Sequence, residues 1–275
     1  MSKTYSPLRY PGGKTKLYSL IEPIVEGYIS QGIYIEPFAG GAGLALALLF
    51  NGRVKNIVLN DFDYNIYCFW KSCITQNDDF CELVDTCIIN MDNWRKQKLI
   101  YSRFLKSTEL EIGFATFFLN RCNVSGVING GPIGGKNQTG KYKLDARFNR
   151  SKLIEKIQLI GQYADSIHVY NEDASIFLQE KIKEYPIENT LLNIDPPYVK
   201  KGKSLYKNCF EEIDHIELSN VIKDIKHKWL VTYDYCDFII DLYNQYRSEE
   251  IKLQYSAGQT KIGREIMIFS DNILD

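Results

Sequence analysis

The chain has 275 residues, 45% of them hydrophobic and 24% charged, and a formal net charge of −1. This is the profile of a globular α/β-sized chain, and it excludes a uniformly basic nucleic-acid binder, so that any such surface has to be local. Seven cysteines without a Cys-x-x-Cys pair, only three histidines, a polar start and no apolar run of membrane-spanning length argue against a zinc site, a secretory signal and a membrane span, and the chain reads as cytoplasmic.

Residues 1–16 carry Lys3, Arg9, Lys14 and Lys16 and no acid, and contain the turn Arg9-Tyr10-Pro11-Gly12-Gly13-Lys14. A helix with Leu17, Leu20, Ile21 and Ile24 follows. Ile33 to Phe38 reads as a short strand running into Ala39-Gly40-Gly41-Ala42-Gly43 and then a helix from Leu44 to Phe50. Strand, glycine turn and helix in this order let a nucleotide-like ligand lie against the backbone, although the spacing is not that of a dinucleotide fingerprint. A second strand, Asn56–Asn60, ends in Asp61, an acid roughly 20 residues past the loop and placed to accept ribose hydroxyls. Glu36, Gly40, Gly43 and Asp61 together suit an adenosine-containing cofactor; the alternative is a purely structural glycine turn.

Tyr64 to about Leu119 reads as helical, with Trp70, Trp94, Tyr101, Phe104 and Phe114 mainly as core. Between Asn120 and Lys156 the composition changes to eight basic residues against two acidic ones, with six glycines and an Asn129-Gly130 hairpin signal. Such a stretch is either the footprint of phosphate-backbone contact or a solvated face. A helix from Leu153 to about Tyr163, a third strand over 166–170 ending in Asn171-Glu172-Asp173, and a helix from Ser175 to about Lys183 resume the alternation. The apolar strand Thr190–Ile194 then stops at Asp195-Pro196-Pro197-Tyr198. Neither proline can donate a ladder hydrogen bond, so a carboxylate, a carbonyl and a ring leave the sheet as one stiff turn, suited to a planar substrate bearing an amine. The basic loop Lys200–Lys207, a helix near 215–225, a strand over 229–233 and a closing hairpin of 251–256 and 266–270, joined by Ala257 to Arg264, complete about seven strands, most of them parallel.

Taken together, these motifs resemble the Dam-type DNA adenine N6-methyltransferases. The likeness rests on Arg9-Tyr10-Pro11-Gly12-Gly13-Lys14, then Glu36-Pro37-Phe38-Ala39-Gly40-Gly41-Ala42-Gly43, Asn60-Asp61, Phe118-Leu119-Asn120-Arg121 and Asp195-Pro196-Pro197-Tyr198, in that order along nearly the whole chain. It implies a Rossmann-like, seven-stranded class I methyltransferase sheet (1–63 and 164–275) with a mostly helical target-recognition insertion (64–163). It implies S-adenosyl-L-methionine as cofactor, near Tyr10, Lys14, Glu36, Phe38, Gly40, Gly43, Asp61, Asp173 and Asp195. Asp195, Pro196, Pro197 and Tyr198 would hold the target adenine, flipped out of the duplex. Arg9, Arg121, Asn123, Lys136, Asn137, Lys141 and Arg147 would contact double-stranded DNA at a short recognition site. No metal or membrane is implied, and a cognate restriction endonuclease is a candidate partner. Where many such enzymes with a GATC target carry Asn-Val-Pro-x-Gly-x-Tyr, this chain has Gly134 to Tyr142 without that pattern, which leaves the target sequence open; Tyr10 stands where a tryptophan is common. Rival readings are a methyltransferase of RNA bases or of a protein glutamine, a non-catalytic DNA-binding relative, and a nicotinamide oxidoreductase.

Overall fold

The computed structural model describes residues 4–9, 17–103, 106–199, 210–257 and 259–273, with the backbone alone over most of the closing hairpin, 252–262. In chain order the elements are α1 (Tyr18–Ile29), β1 (Ile33–Glu36), α2 (Gly43–Phe50), β2 (Asn56–Asn60), α3 (Tyr64–Thr75), α4 (Asn77–Thr86), α5 (Met91–Arg103), α6 (Glu109–Cys122), α7 (Arg150–Gln162), β3 (Ile167–Tyr170), α8 (Ala174–Glu180), β4 (Thr190–Ile194), α9 (Glu212–Lys223), β5 (Lys228–Asp234), α10 (Asp237–Leu242), β6 (Ser248–Ala257) and β7 (Gln259–Phe269). The strands form one sheet in the order β3-β2-β1-β4-β5-β7-β6. The first five run parallel, and β7 lies antiparallel between β5 and β6.

Both faces of the sheet are covered, which explains why its strands read as continuous apolar runs. Strand alternation sends Tyr34, Ile57, Leu59, Leu191 and Leu230 to the face under α1, α2 and the helices between β2 and β3. It sends Ile35, Val58, Leu192, Ile194 and Val231 to the face under α8, α9 and α10. Glu36 shares a face with Tyr34, and Asp195 with Leu191, so both acids lie at strand ends on the first side.

The stretch expected as helical from Tyr64 is four helices, α3 to α6. Asp63 caps α3 by accepting the Asn65 amide, and a Thr108–Glu111 capping box starts α6. Phe69, Phe80, Phe114, Phe117, Phe118 and Phe148 pack ring against ring among these helices. The same cluster runs on into Ile57 and Leu59, so the insertion and the sheet share one core. Residues 123–149 are not helical apart from a single 3-10 turn at Val124–Gly126.

Three expectations need correction. The Asn129-Gly130 signal makes a turn, with the Gly130 amide on the Val127 carbonyl, and the stretch forms one isolated bridge, Asn123 to Pro132, in place of a hairpin. The segment from Ala257 to Arg264, expected as a connection, is mostly strand: pairing continues to Ala257 opposite Gln259. Cross-strand ladder bonds there outweigh the low strand preference of Gly263. Helix α7 begins at Arg150, three residues early, because Asn149 caps it on the Lys152 amide.

Candidate active site and nucleic-acid interface

The glycine turn is held from three sides. After β1, the Ala39 amide bonds the Asn60 carbonyl at 2.9 Å, and the Ala42 amide bonds the Ala39 carbonyl at 2.7 Å. Gly40 (φ 45°) and Ala42 (φ 44°) are left-handed, the conformation for which glycine at 40 carries no penalty. Both sides of Gly40 are engaged: its amide donates to Asp61 Oδ2 at 2.8 Å, and its carbonyl accepts the Trp70 indole N–H at 2.9 Å. Asp61 Oδ1 also accepts the Asp63 amide at 2.9 Å. Asn60, fully buried, donates to the Pro37 and Glu172 carbonyls and accepts the Glu172 amide, so one side chain knots the ends of β1, β2 and β3 together.

These knots bring Glu36, Asp61 and Asp173 to the carboxyl ends of three adjacent parallel strands. Glu36 accepts the Ala45 amide in the first turn of α2 at 3.2 Å. Burial, with Asp195 nearby, pushes its carboxyl up to about 8. Half-buried Asp61 is pushed up by burial to about 7, against the opposing pull of its two backbone donors. Asp173 is exposed and caps α8 through the Ser175 and Ile176 amides. Phe38 turns to the other face of the sheet and meets Phe210 edge-on at 6.0 Å. Tyr10 and Lys14 lie outside the described residues.

On the neighbouring strand, Asp195 to Tyr198 is fastened to β5 and β7. Thr232 Oγ1 donates to Asp195 Oδ1 at 2.8 Å, the Val199 amide donates to Asp234 Oδ1 at 3.1 Å, and the Tyr198 hydroxyl donates to Glu265 Oε1 at 2.7 Å. Pro196 is buried, whereas Asp195, Pro197 and Tyr198 are half-buried just past the carboxyl end of β4. The arrangement presents an oriented carboxylate beside a proline carbonyl and a ring with a fixed hydroxyl. Among the described residues, no group of His, Cys, Asp and Glu could hold a metal ion, and no helix is long and apolar enough to cross a membrane.

The insertion grips the start of the chain. The buried Asn120 accepts the Arg9 amide on Oδ1 at 2.7 Å and donates Nδ2 to the Arg9 and Gly126 carbonyls, each at 2.9 Å. A Cβ at Gly126 would meet the Arg9 carbonyl oxygen at 2.2 Å, so the close approach requires glycine there. Arg9 is half-buried, donates Nη1 to the Asn123 carbonyl and is lowered from its ordinary value by burial and by Arg147.

Two of the residues expected at DNA spend their polar groups within the protein. Arg121 spends its guanidinium on backbone, with Nε and Nη2 on the Arg147 carbonyl and Nη1 on the Pro7 carbonyl, and burial pushes it down to about 10. Asn123 is fully buried: its Nδ2 reaches the Val127, Ile128 and Gly130 carbonyls, and its Oδ1 accepts the Trp94 indole N–H. Both residues build the loop from inside. Lys136, Asn137, Lys141 and Arg147 are exposed on the 123–149 segment.

Sequence reasoning gave no site role to Asn60, Trp70, Asn120, Thr232, Asp234 or Glu265. Strand alternation held the one available signal: Thr232 and Asp234 are two apart at the end of an apolar strand, hence on one face.

The chain is 23% identical over 267 residues to the Type II methyltransferase M.CviBI of Paramecium bursaria Chlorella virus NC1A, covering 94% of this chain and 95% of that protein. It is 23% identical over 271 residues to the Type II methyltransferase M.MjaIII of Methanocaldococcus jannaschii, covering 89% of each. Among solved structures, a SAM-dependent methyltransferase from Agrobacterium tumefaciens aligns at a TM-score of 0.43 and 10% identity, over 94% of this chain and 61% of that one. The model of the D12 class N6 adenine-specific DNA methyltransferases matches residues 10–257, and the chain belongs to that family of S-adenosylmethionine-dependent enzymes, which methylate adenine in DNA.

Proposed function

We propose that the chain methylates an adenine flipped out of duplex DNA within a short recognition sequence, with Asp195, Pro196, Pro197 and Tyr198 as the base-holding residues. The observation that carries this reading is the fastening of that tetrapeptide, with Thr232 orienting Asp195 and the hydroxyl of Tyr198 anchored. S-adenosylmethionine supplies, when bound, a methyl group on a sulfonium sulfur. It carries a ribose diol and two cationic centres, and the acceptor set of Glu36, Asp61 and Asp173 beside the tight 39–43 turn suits such a ligand, with Gly40, Gly43 and Phe38 shaping the pocket and Tyr10 and Lys14 as further members.

The exocyclic amine of adenine is a weak nucleophile because its lone pair is delocalised into the ring. Asp195 and the Pro196 carbonyl accept hydrogen bonds from its two N–H groups and draw nitrogen toward tetrahedral geometry, which localises the lone pair. Fixing the geometry of two reactants can supply roughly 7–11 kcal/mol of the barrier. The base has to leave the duplex to reach these acceptors, at a few kcal/mol, and it stacks on Tyr198.

Residues 1–63 and 164–275 form the catalytic part in this reading, and 64–163 the target-recognition insertion. Lys136, Asn137, Lys141 and Arg147, with Arg9 at the seam, contact DNA. The Type II relatives favour a restriction–modification setting with a cognate endonuclease. Long-read sequencing of plasmid DNA from a methylation-free host expressing the chain tests the proposal. N6-methyladenine at one short motif is expected; unmodified DNA from cells holding folded, cofactor-binding protein would refute it.

A further inference from the structure

Glu265 belongs to no motif of the sequence, yet it is fully buried on β7 and accepts the hydroxyl of Tyr198 from 67 positions away. Its direct cross-strand partner on β5 is Asp234, also buried. Two acids opposite each other on neighbouring strands repel, and a buried acid left without a donor costs more still. Here each takes a donor from one of two consecutive residues: the Tyr198 hydroxyl goes to Glu265 and the Val199 amide to Asp234. Two positions before Asp234, Thr232 holds Asp195. The end of β5 and the middle of β7 thus form a three-point template for the turn that leaves β4.

We propose that Glu265 is a positioning residue of the methyl-transfer reaction: by holding the Tyr198 hydroxyl against β7, it fixes the plane on which the target base stacks. A hydrogen bond from a phenol to a carboxylate is short and about twice as strong as a neutral one. It removes the rocking of the ring about its side-chain torsions that an unanchored tyrosine keeps, so the platform is set before the base arrives. Glu265 acts through Tyr198 and touches neither base nor cofactor. The inference rests on Tyr198 being the platform, as proposed above.

The test uses the full chain and unmethylated duplex DNA carrying the motif that the sequencing identifies, with Glu265→Leu, Glu265→Gln, Tyr198→Phe, Tyr198→Ala and the Tyr198→Phe/Glu265→Leu double variant. Glu265→Leu removes the acceptor; Glu265→Gln keeps an acceptor of the same shape, relieves the repulsion from Asp234 and guards against a variant that fails to fold. The expected result is a kcat for Glu265→Leu lower by about tenfold to 10²-fold. Tyr198→Phe shows a similar loss, and the double variant loses no more than either single one. Glu265→Gln recovers most of the rate, and S-adenosylmethionine affinity by calorimetry stays within about twofold of wild type in every variant, because a residue that acts through Tyr198 leaves cofactor binding alone. A general loosening of the fold would lower that affinity as well, and would overturn the proposal. So would a wild-type kcat in Glu265→Leu, or a loss that adds in full to that of Tyr198→Phe. If Tyr198→Ala is impaired while Glu265→Leu is not, the positioning role alone fails; if Tyr198→Ala turns over normally, stacking on Tyr198 fails first and the positioning role with it.

Discussion

Glu36→Gln separates what Glu36 does for folding from what it does for the reaction. The carboxyl is 6% exposed, and burial together with Asp195 lifts it from 4.5 to about 8. Because the folded value is the higher one, the neutral acid is the form the fold favours. That contribution is complete below about pH 4.5 and is lost as pH rises through about 8. A tenfold change in proton affinity is worth about 1.4 kcal/mol, so the loss approaches ~5 kcal/mol, and relaxation around the charge brings it toward ~3 kcal/mol. Glutamine keeps the acceptor for the Ala45 amide and removes the titration. Urea unfolding of the cofactor-free protein should find wild type and variant within about 1 kcal/mol at pH 5, and the variant more stable by ~3–5 kcal/mol at pH 9. Methyl transfer should fall in the same variant, the usual opposition between stability and a built site. A stability difference that does not change with pH would refute the reasoning.

Cofactor binding at pH 7 should release protons, because a cationic ligand favours the ionised forms of Glu36 and Asp61, which sit near 8 and 7 without it; calorimetry in two buffers of different ionisation enthalpy measures the number, and zero would contradict the assignment. Asp195→Ala should abolish methylation with DNA affinity nearly intact. Thr232→Val, which leaves that carboxylate without its 2.8 Å donor, should lower kcat by about tenfold with little effect on DNA binding. Lys136→Ala and Lys141→Ala should each weaken binding evenly across sequences and lower the salt slope by about one, which fluorescence anisotropy over a salt series reads directly.

The parallel strands were legible because each is a short apolar run closed by glycine, proline or an acid, and burial on both faces keeps such runs uninterrupted. Asp195 to Tyr198 was legible because two prolines cannot continue a ladder. The supports of that turn were not: Asp234 and Glu265 meet it through the pairing of β5 with β7, a register that no local pattern encodes. Arg121 and Asn123 were expected at DNA from the likeness of motifs, which says nothing of what a side chain bonds in this fold. Arg121 in the last turn of α6 bonds the Pro7 and Arg147 carbonyls, and Asn123, the C-cap, bonds the loop's own carbonyls. The long hairpin was underestimated because cross-strand ladder bonds carry its strands through Gly263 as far as Ala257 and Gln259.

The core shared between the insertion and the sheet decides what evolution can exchange. Rings on α3, α4 and α6 and at Phe148 pack into the layer that also covers Ile57 and Leu59, so replacing 64–163 as a block would tear open one side of the sheet. The stretch between Asn123 and Phe148 is different: it hangs from the amide of Asn123 at one end and from the buried Leu144 and Phe148 at the other, and its exposed side chains bear no load in the core. The exposed side chains of this surface segment of some two dozen residues can therefore be exchanged without disturbing the aromatic scaffold or the turn that leaves β4.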